Sequence, residues 1–198
     1  SLCDWSSDVC SSDLPEGGSN AAGSLGYARA ALELLNQAAS QDVPIRRIFH
    51  ACGSAGTTAG LALGLAAAGR ADIEVHAVAV CNDRDYFDAR VETILDEAVD
   101  RGFVEAGLRA RAQWQIVEGF KGEGYALTTP EEMQEHAALA RSHGLFVDPV
   151  YTGKAFRALR HAANNDALRE GATVFLHTGG IFELFGFAEE VGAIPSGQ

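Results

Sequence analysis

The stretch Phe49-His50-Ala51-Cys52-Gly53-Ser54-Ala55-Gly56-Thr57-Thr58-Ala59-Gly60 decides how the rest of the sequence is read. It runs from an apolar strand pattern, through a turn of Gly, Ser and Ala, into a helix of small residues. A strand–turn–helix of this kind points several backbone N–H groups and the positive end of a helix dipole at one spot. An anion, most often a phosphate, is well held there. Gly53 and Gly56 permit close backbone approach, and Ser54, Thr57 and Thr58 can add hydroxyl donors. The loop is not a Walker loop, because no Lys-Ser/Thr pair ends it. Gly53-Ser54-Ala55 also lacks the second Gly of the dinucleotide fingerprint. A second reading stays open: a tight turn in which Gly56, Gly60 and Gly64 let the helix pack closely on the sheet.

Working outward, Arg46–Cys52 reads as a strand and Ala55–Gly69 as the small-residue helix that follows it. Upstream, Ser19–Ser40 is a helix, with Ser19 as its cap and Leu25, Leu32, Leu35 and Ala39 near helical spacing. Downstream, Ile73–Val80 is a nearly continuous apolar run, as buried parallel strands are. Asp85–Ala106 is an amphipathic helix with Phe87, Val91, Leu95 and Val99 as its stripe. Gln113–Glu118 is a third strand, Pro130–His143 a helix opened by its proline, and Thr152–Asn164 another helix. Thr173–Thr178 is the last strand, before Gly179-Gly180 and a short helical piece. Strands alternating with helices predict an α/β fold with a mainly parallel sheet flanked by helices.

Composition bounds the function. The 198 residues are 47% hydrophobic, enough for a core, so a wholly disordered chain is excluded. A net charge of −12 leaves no basic patch for nucleic acid. The longest apolar stretch, Ala59–Gly69, is too short to span a bilayer. No signal peptide is expected before the globular part, and the expected compartment is the cytoplasm. The six histidines show no metal-ligand spacing. Of the four cysteines, Cys52 and Cys81 sit in apolar runs and read as reduced core thiols. Cys3 and Cys10 fall in Ser1–Leu14, whose composition breaks sharply at Pro15. That segment allows a disulfide-bearing leader, but it resembles translated adapter DNA, and residues 1–14 are expected to be a non-native leader. The sole methionine, Met133, is internal.

Three further blocks accompany the Gly53–Gly60 loop: Pro15-Glu16-Gly17-Gly18-Ser19-Asn20, Asp148-Pro149-Val150-Tyr151-Thr152-Gly153-Lys154 and Phe175-Leu176-His177-Thr178-Gly179-Gly180. In order and spacing the four together resemble one family, the D-cysteine desulfhydrase and 1-aminocyclopropane-1-carboxylate deaminase group of pyridoxal-phosphate enzymes, related to tryptophan synthase β. The likeness spans Pro15 to Gly186, and the last two blocks lean towards the desulfhydrase branch. It implies that Gly53, Ser54, Ala55, Gly56 and Thr57 hold the phosphate of pyridoxal 5′-phosphate. It implies that Thr178 lies beside the pyridine nitrogen, and that Tyr151 stands near the substrate carboxylate or sulfur as an acid/base or positioning group. On its residues alone, Tyr151 also reads as a buried aromatic after a proline turn. His177 reads as a satisfied strand histidine. Position 58 departs from the family, which commonly has His where this chain has Thr58.

The resemblance also implies an amine to bind the cofactor as a Schiff base, carried in an Asn-Lys block upstream of the first motif. This chain holds only Lys121 and Lys154. Lys121 reads as a solvated residue in a Gly-rich surface loop and Lys154 as a solvated or helix-end cation. Residues 15–198 are therefore expected to form a partial catalytic region, an incomplete tryptophan synthase β-like fold that is inactive alone. The implied parent reaction is α,β-elimination of a small amino acid, D-cysteine giving pyruvate, ammonia and hydrogen sulfide, by a homodimer. A cyclopropane-opening deaminase and a cysteate lyase are the alternatives within the family. A non-catalytic α/β domain that binds a phosphorylated small molecule is the alternative from another class.

Overall fold

In the computed structural model, residues 15–165, 168 and 170–194 are described. The leader assigned to residues 1–14, with Cys3 and Cys10, lies outside them. The sheet has four strands in the order β3-β2-β1-β4, all pairings parallel. They are β1 (Ile45–Cys52), β2 (Glu74–Ala79), β3 (Gln115–Val117) and β4 (Ala172–Leu176). The helices are α1 (Ala21–Ser40), α2 (Gly56–Ala67), α3 (Arg84–Asp100), α4 (Ala106–Arg109), α5 (Pro130–His143), α6 (Thr152–Asn164) and α7 (Ala188–Gly192). No helix among the described residues is long and apolar enough to cross a membrane.

Alternation along the strands assigns each face its partner. Cys52, Ala77 and Ala79 pack with α2 and α3, while Phe49, Ala51, Val78 and Val80 pack against Ala155 and Ala158 of α6. Helix α2 is buried over nearly its whole length because it is covered by the sheet on one side and by α1 on the other. The glycines of α2 face α1 and not the sheet, which corrects the expected contact. A Cβ at Gly60 would overlap the Ser24 carbonyl oxygen, and one at Gly64 the Ala28 carbonyl oxygen. The same approach explains the buried side of α1. Ala21, Ser24 and Ala31 are buried, whereas Leu32, expected on the packed face, is 40% exposed. Only small residues fit where two helix backbones meet this closely.

Several boundaries move for local reasons. Asn20, not Ser19, caps α1 by accepting from the Gly23 N–H at 2.8 Å. Helix α3 stops at Asp100, short of Ala106, because Gly102 takes the left-handed conformation at φ 70°. Phe87, Val91 and Leu95 are buried with Ile94 and Ala98, while Val99 is only half-buried. Helix α5 has the expected limits. Its Pro at the first turn is joined by a capping box between Thr129 and Glu132. Strand β4 ends at Leu176, where its pairing with β1 stops at His50. His177, just beyond it, is satisfied by the Phe146 carbonyl at 2.7 Å.

Replacing Gly64 with Ala would force α1 and α2 apart against a backbone oxygen. Gly64→Ala is expected to lower unfolding stability by about 2 kcal/mol or more, checked by urea titration against the unchanged chain.

Candidate functional site

Three strand ends converge at one edge of the sheet, where open α/β sheets bind ligands. Gly53 follows β1, Cys81 and Asn82 follow β2, and Thr178 follows β4. Between them lies a cavity of about 640 Å³. That volume suits a small organic cofactor with a substrate. Gly53, Ser54, Ala55, Thr57, Tyr151 and Thr178 all line it. Gly56 does not. Its N–H donates instead to the Ser19 hydroxyl at 3.2 Å, and a Cβ on Gly56 would overlap Ser19 Oγ. Of the residues expected to hold the phosphate, Gly56 thus shapes the loop from behind.

The loop geometry follows from Ala55, which sits at φ 74° in the left-handed region as the N-cap of α2. A non-glycine residue there stores roughly 1–3 kcal/mol of strain, a cost the surrounding packing of this buried residue must offset. The turn lets the chain enter α2 with no side chain capping the helix and no acidic residue in its first turn. The positive helix end therefore opens into the cavity. The Ser19 hydroxyl donates to Ser54 Oγ at 2.7 Å, and a Cβ on Gly17 would overlap Ser54 Oγ. The Pro15–Asn20 block is thus seated directly against the loop. The uncapped helix end, the hydroxyls and a first turn free of acidic residues form a donor set that fits a phosphate.

Tyr151 is held by a buried carboxylate. Asp148 is fully buried and accepts from the N–H groups of Val150 at 2.8 Å, Tyr151 at 2.6 Å and Thr152 at 2.8 Å. It also accepts from the Thr152 hydroxyl at 2.5 Å. The turn after Thr178 folds over the same group, since a Cβ on Gly180 would overlap Asp148 Oδ1. On its other side the Tyr151 ring backs onto Gly53, where a Cβ would stand 3.2 Å from Cε1. The phenol of Tyr151 meets that of Tyr125, with the rings edge-on at 5.9 Å and 70°. Burial first, and the Tyr125 hydroxyl second, push the Tyr151 ionisation well above the usual phenol range. At neutral pH it is a protonated donor.

Tyr125, Asn82 and Cys81 also line the cavity and were not singled out as site residues from the sequence. Tyr125 lies in the Gly-rich segment after β3, where no periodicity marks a side chain as inward. Lys154 lies at a helix end, in the first turn of α6, but it is not the solvated cation that was the other expectation. It is 1% exposed, and its Nζ donates to the carbonyls of Lys121 and Gly124 at 2.8 Å and Val80 at 3.4 Å. Burial draws its proton affinity down, while Glu132 nearby opposes this. Neither lysine lines the cavity.

Behind the loop, the buried Thr58 hydroxyl stands between His50 Nε2 at 3.4 Å and Cys52 Sγ at 3.5 Å. His50 Nδ1 lies 2.9 Å from the Ala51 carbonyl, which makes Nδ1 the protonated nitrogen of a neutral ring. Burial lowers the His50 pKa from 6.5 to about 4 and pushes the Cys52 thiol up to about 11. Both groups are uncharged at neutral pH. Cys52 and Cys81 are free thiols.

The chain has clear relatives. The family described as pyridoxal-phosphate dependent enzyme matches residues 13–179. A bifunctional D-cysteine desulfhydrase/1-aminocyclopropane-1-carboxylate deaminase, mitochondrial, from Arabidopsis thaliana is 37% identical over 185 residues, covering 91% of this chain and 44% of the relative. A Thermotoga maritima protein named "Putative 1-aminocyclopropane-1-carboxylate deaminase" is 36% identical over 178 residues, covering 87% and 52%. A crystal structure described as an ACC deaminase homologue superposes with a TM-score of 0.78 at 30% identity, covering 91% of this chain and 52% of that one. The chain spans about half the length of the curated relatives it matches.

Between pH 6.5 and about 4 the unfolded chain binds a proton at His50 that the folded chain refuses. The stability owed to neutral His50 is present above pH 6.5 and is lost as the pH falls towards 4. Urea unfolding at pH 7 and pH 4.5 should show the native chain losing up to about 3 kcal/mol more than His50→Gln.

Proposed function

The chain belongs to the pyridoxal-phosphate-dependent enzyme family, and from that premise we propose that its cavity serves α,β-elimination of a small amino acid. D-cysteine, giving pyruvate, ammonia and hydrogen sulfide, is the first substrate of this reading. The carrying observation is that the Gly53–Thr57 loop, the Tyr125–Tyr151 pair and Thr178 face one cavity at the carboxyl ends of the strands. The names of the relatives, which join a desulfhydrase and a deaminase activity, support the same class.

Ser54 and Thr57, with the N–H groups at the start of α2, would hold the cofactor phosphate. When bound, the cofactor supplies an electron sink for charge developing at the substrate α-carbon. Thr178 would offer the pyridine nitrogen a neutral hydroxyl, which leaves that nitrogen unprotonated and the sink modest. That suffices for elimination, where a good leaving group departs from the β-carbon. Tyr151 keeps its proton at Oη and can donate to the substrate carboxylate or the departing sulfur. Asp148 fixes the backbone from which Tyr151 projects, so that donor enters the site already oriented.

One observation favours a second reading, a domain that binds a phosphorylated small molecule without chemistry. No lysine faces the cavity, and Lys154 spends its ammonium on carbonyls. Both readings expect the 198-residue chain to bind pyridoxal 5′-phosphate without becoming covalently attached. After borohydride treatment, intact-mass measurement should find Lys121 and Lys154 unmodified. A cofactor fixed on Lys154 would refute this. Thr57→Glu, which suits a helix N-terminus and should not unfold the chain, should weaken cofactor binding about tenfold by meeting the phosphate with like charge.

Turnover separates the two readings. The protein containing this chain is assayed for ammonia release from D-cysteine, L-cysteate and 1-aminocyclopropane-1-carboxylate. Release from D-cysteine, with Tyr151→Phe lowering kcat about a hundredfold at little change in KM, is the expected outcome. No release from any of the three would leave the binding domain.

A further inference from the structure

We infer that Lys154 is a positioning residue: its ammonium clamps three walls of the cavity together and so sets the Tyr125–Tyr151 pair. The inference deepens the proposed function, resting on it only for the statement that the two phenols face substrate.

The three acceptors of Lys154 belong to three different segments. The Val80 carbonyl lies just past β2, one residue before Cys81 and two before Asn82, both on the cavity wall. The Lys121 and Gly124 carbonyls lie in the segment that presents Tyr125. Lys154 itself is in the first turn of α6, three residues beyond the cap residue Tyr151. One buried cation therefore ties together the backbones that carry Asn82, Tyr125 and Tyr151.

The segment from Glu118 to Thr129 has no helix or strand of its own to place Tyr125. Between residues 119 and 127 the single backbone–backbone hydrogen bond is from Leu127 N–H to the Gly124 carbonyl, at 3.5 Å. The Lys154 contacts, at 2.8 Å, are shorter and reach the segment on both sides of its glycine turn. An ammonium carries three N–H donors and no acceptor, which matches three carbonyls and leaves no lone pair for chemistry. Without the cation, three carbonyl dipoles would point at one another in a buried site, and the segment would swing out. Tyr125 would leave Tyr151, although the sheet and the phosphate loop would be untouched.

The test uses the ligand-free chain. Lys121 and Lys154 are its only lysines, so 15N-lysine labelling reports two side-chain ammonium groups. The Lys154 signal should exchange with water about tenfold or more slowly than that of Lys121. Equally fast exchange of both overturns the clamp, and this measurement needs no variant to fold. In Lys154→Met, which keeps the volume, the backbone 15N order parameters over residues 120–126 should fall from about 0.8 to below about 0.6, while those of β1 and α2 stay unchanged. Unchanged order parameters over 120–126 overturn the proposal. In tyrosine-labelled protein, Tyr125→Phe should displace the Tyr151 ring resonance. Lys154→Met should reproduce that displacement, and the double variant should add nothing further. A Tyr151 resonance unmoved by Lys154→Met overturns the positioning role. A protein that turns over no amino acid yet gives these signals refutes the elimination reading alone and upholds the clamp.

Discussion

The close approach of α1 and α2 is the constraint on which the site depends. Gly56, Gly60 and Gly64 recur every four residues on α2; Gly60 and Gly64 meet α1 and Gly56 meets Ser19, two residues before that helix, with backbone atoms in every contact. That stripe fixes where Ser19 stands, and Ser19 in turn bonds both Ser54 and the Gly56 N–H. The left-handed turn at Ala55 is thereby held between two elements that cannot move independently. Helix packing and loop conformation are one energetic unit: loosening the first releases the strain stored in the second. The Glu97 carboxylate adds a tie from α3 by accepting the Ala21 N–H at 3.0 Å.

Two buried charges complete the frame, and both are satisfied by backbone. Asp148 takes three N–H groups and a hydroxyl within one turn of chain, while Lys154 takes carbonyls from distant segments. An isolated buried charge would be expensive. Spread over backbone partners, each becomes a geometric device: the carboxylate makes a local turn rigid, and the ammonium makes a long-range junction. They act on the same tyrosine pair from opposite sides, Asp148 through Tyr151 and Lys154 through Tyr125.

The contrast explains what the sequence could tell. Helix α5 was legible to the residue because Pro130 and the end of its apolar pattern lie within the helix itself. The strand, turn and helix of residues 49–60 were legible for the same reason. The cap of α1 was not: Ser19 was expected there, but Asn20 takes the position while the Ser19 hydroxyl is claimed by a partner 35 residues away. Leu32 looked like core by its spacing, but the face it was assigned to is chosen by the glycines of α2. Tyr125 and the burial of Lys154 were invisible, since a carbonyl acceptor leaves no trace in residue identity. Long-range backbone contacts have no sequence pattern, and the parts of the site that depend on them had to be seen.

A chain of net charge −12 that holds a phosphate, as proposed, would do so without relying on its overall field. None of the described residues lining the cavity is Lys or Arg, and Glu16 and Glu183 are among them. On the proposed reading the attraction comes from oriented neutral groups: the amide dipoles at the start of α2 and the hydroxyls of Ser54 and Thr57. Such donors act over short distances in a partly dry site and are little screened by salt. Polyanions meet repulsion from the surface before they reach the donors. A small phosphate ester can enter, lose its water and be repaid by fixed hydrogen bonds. The acidic composition is thus compatible with the proposed anion site, because the attraction it needs is confined to one helix end.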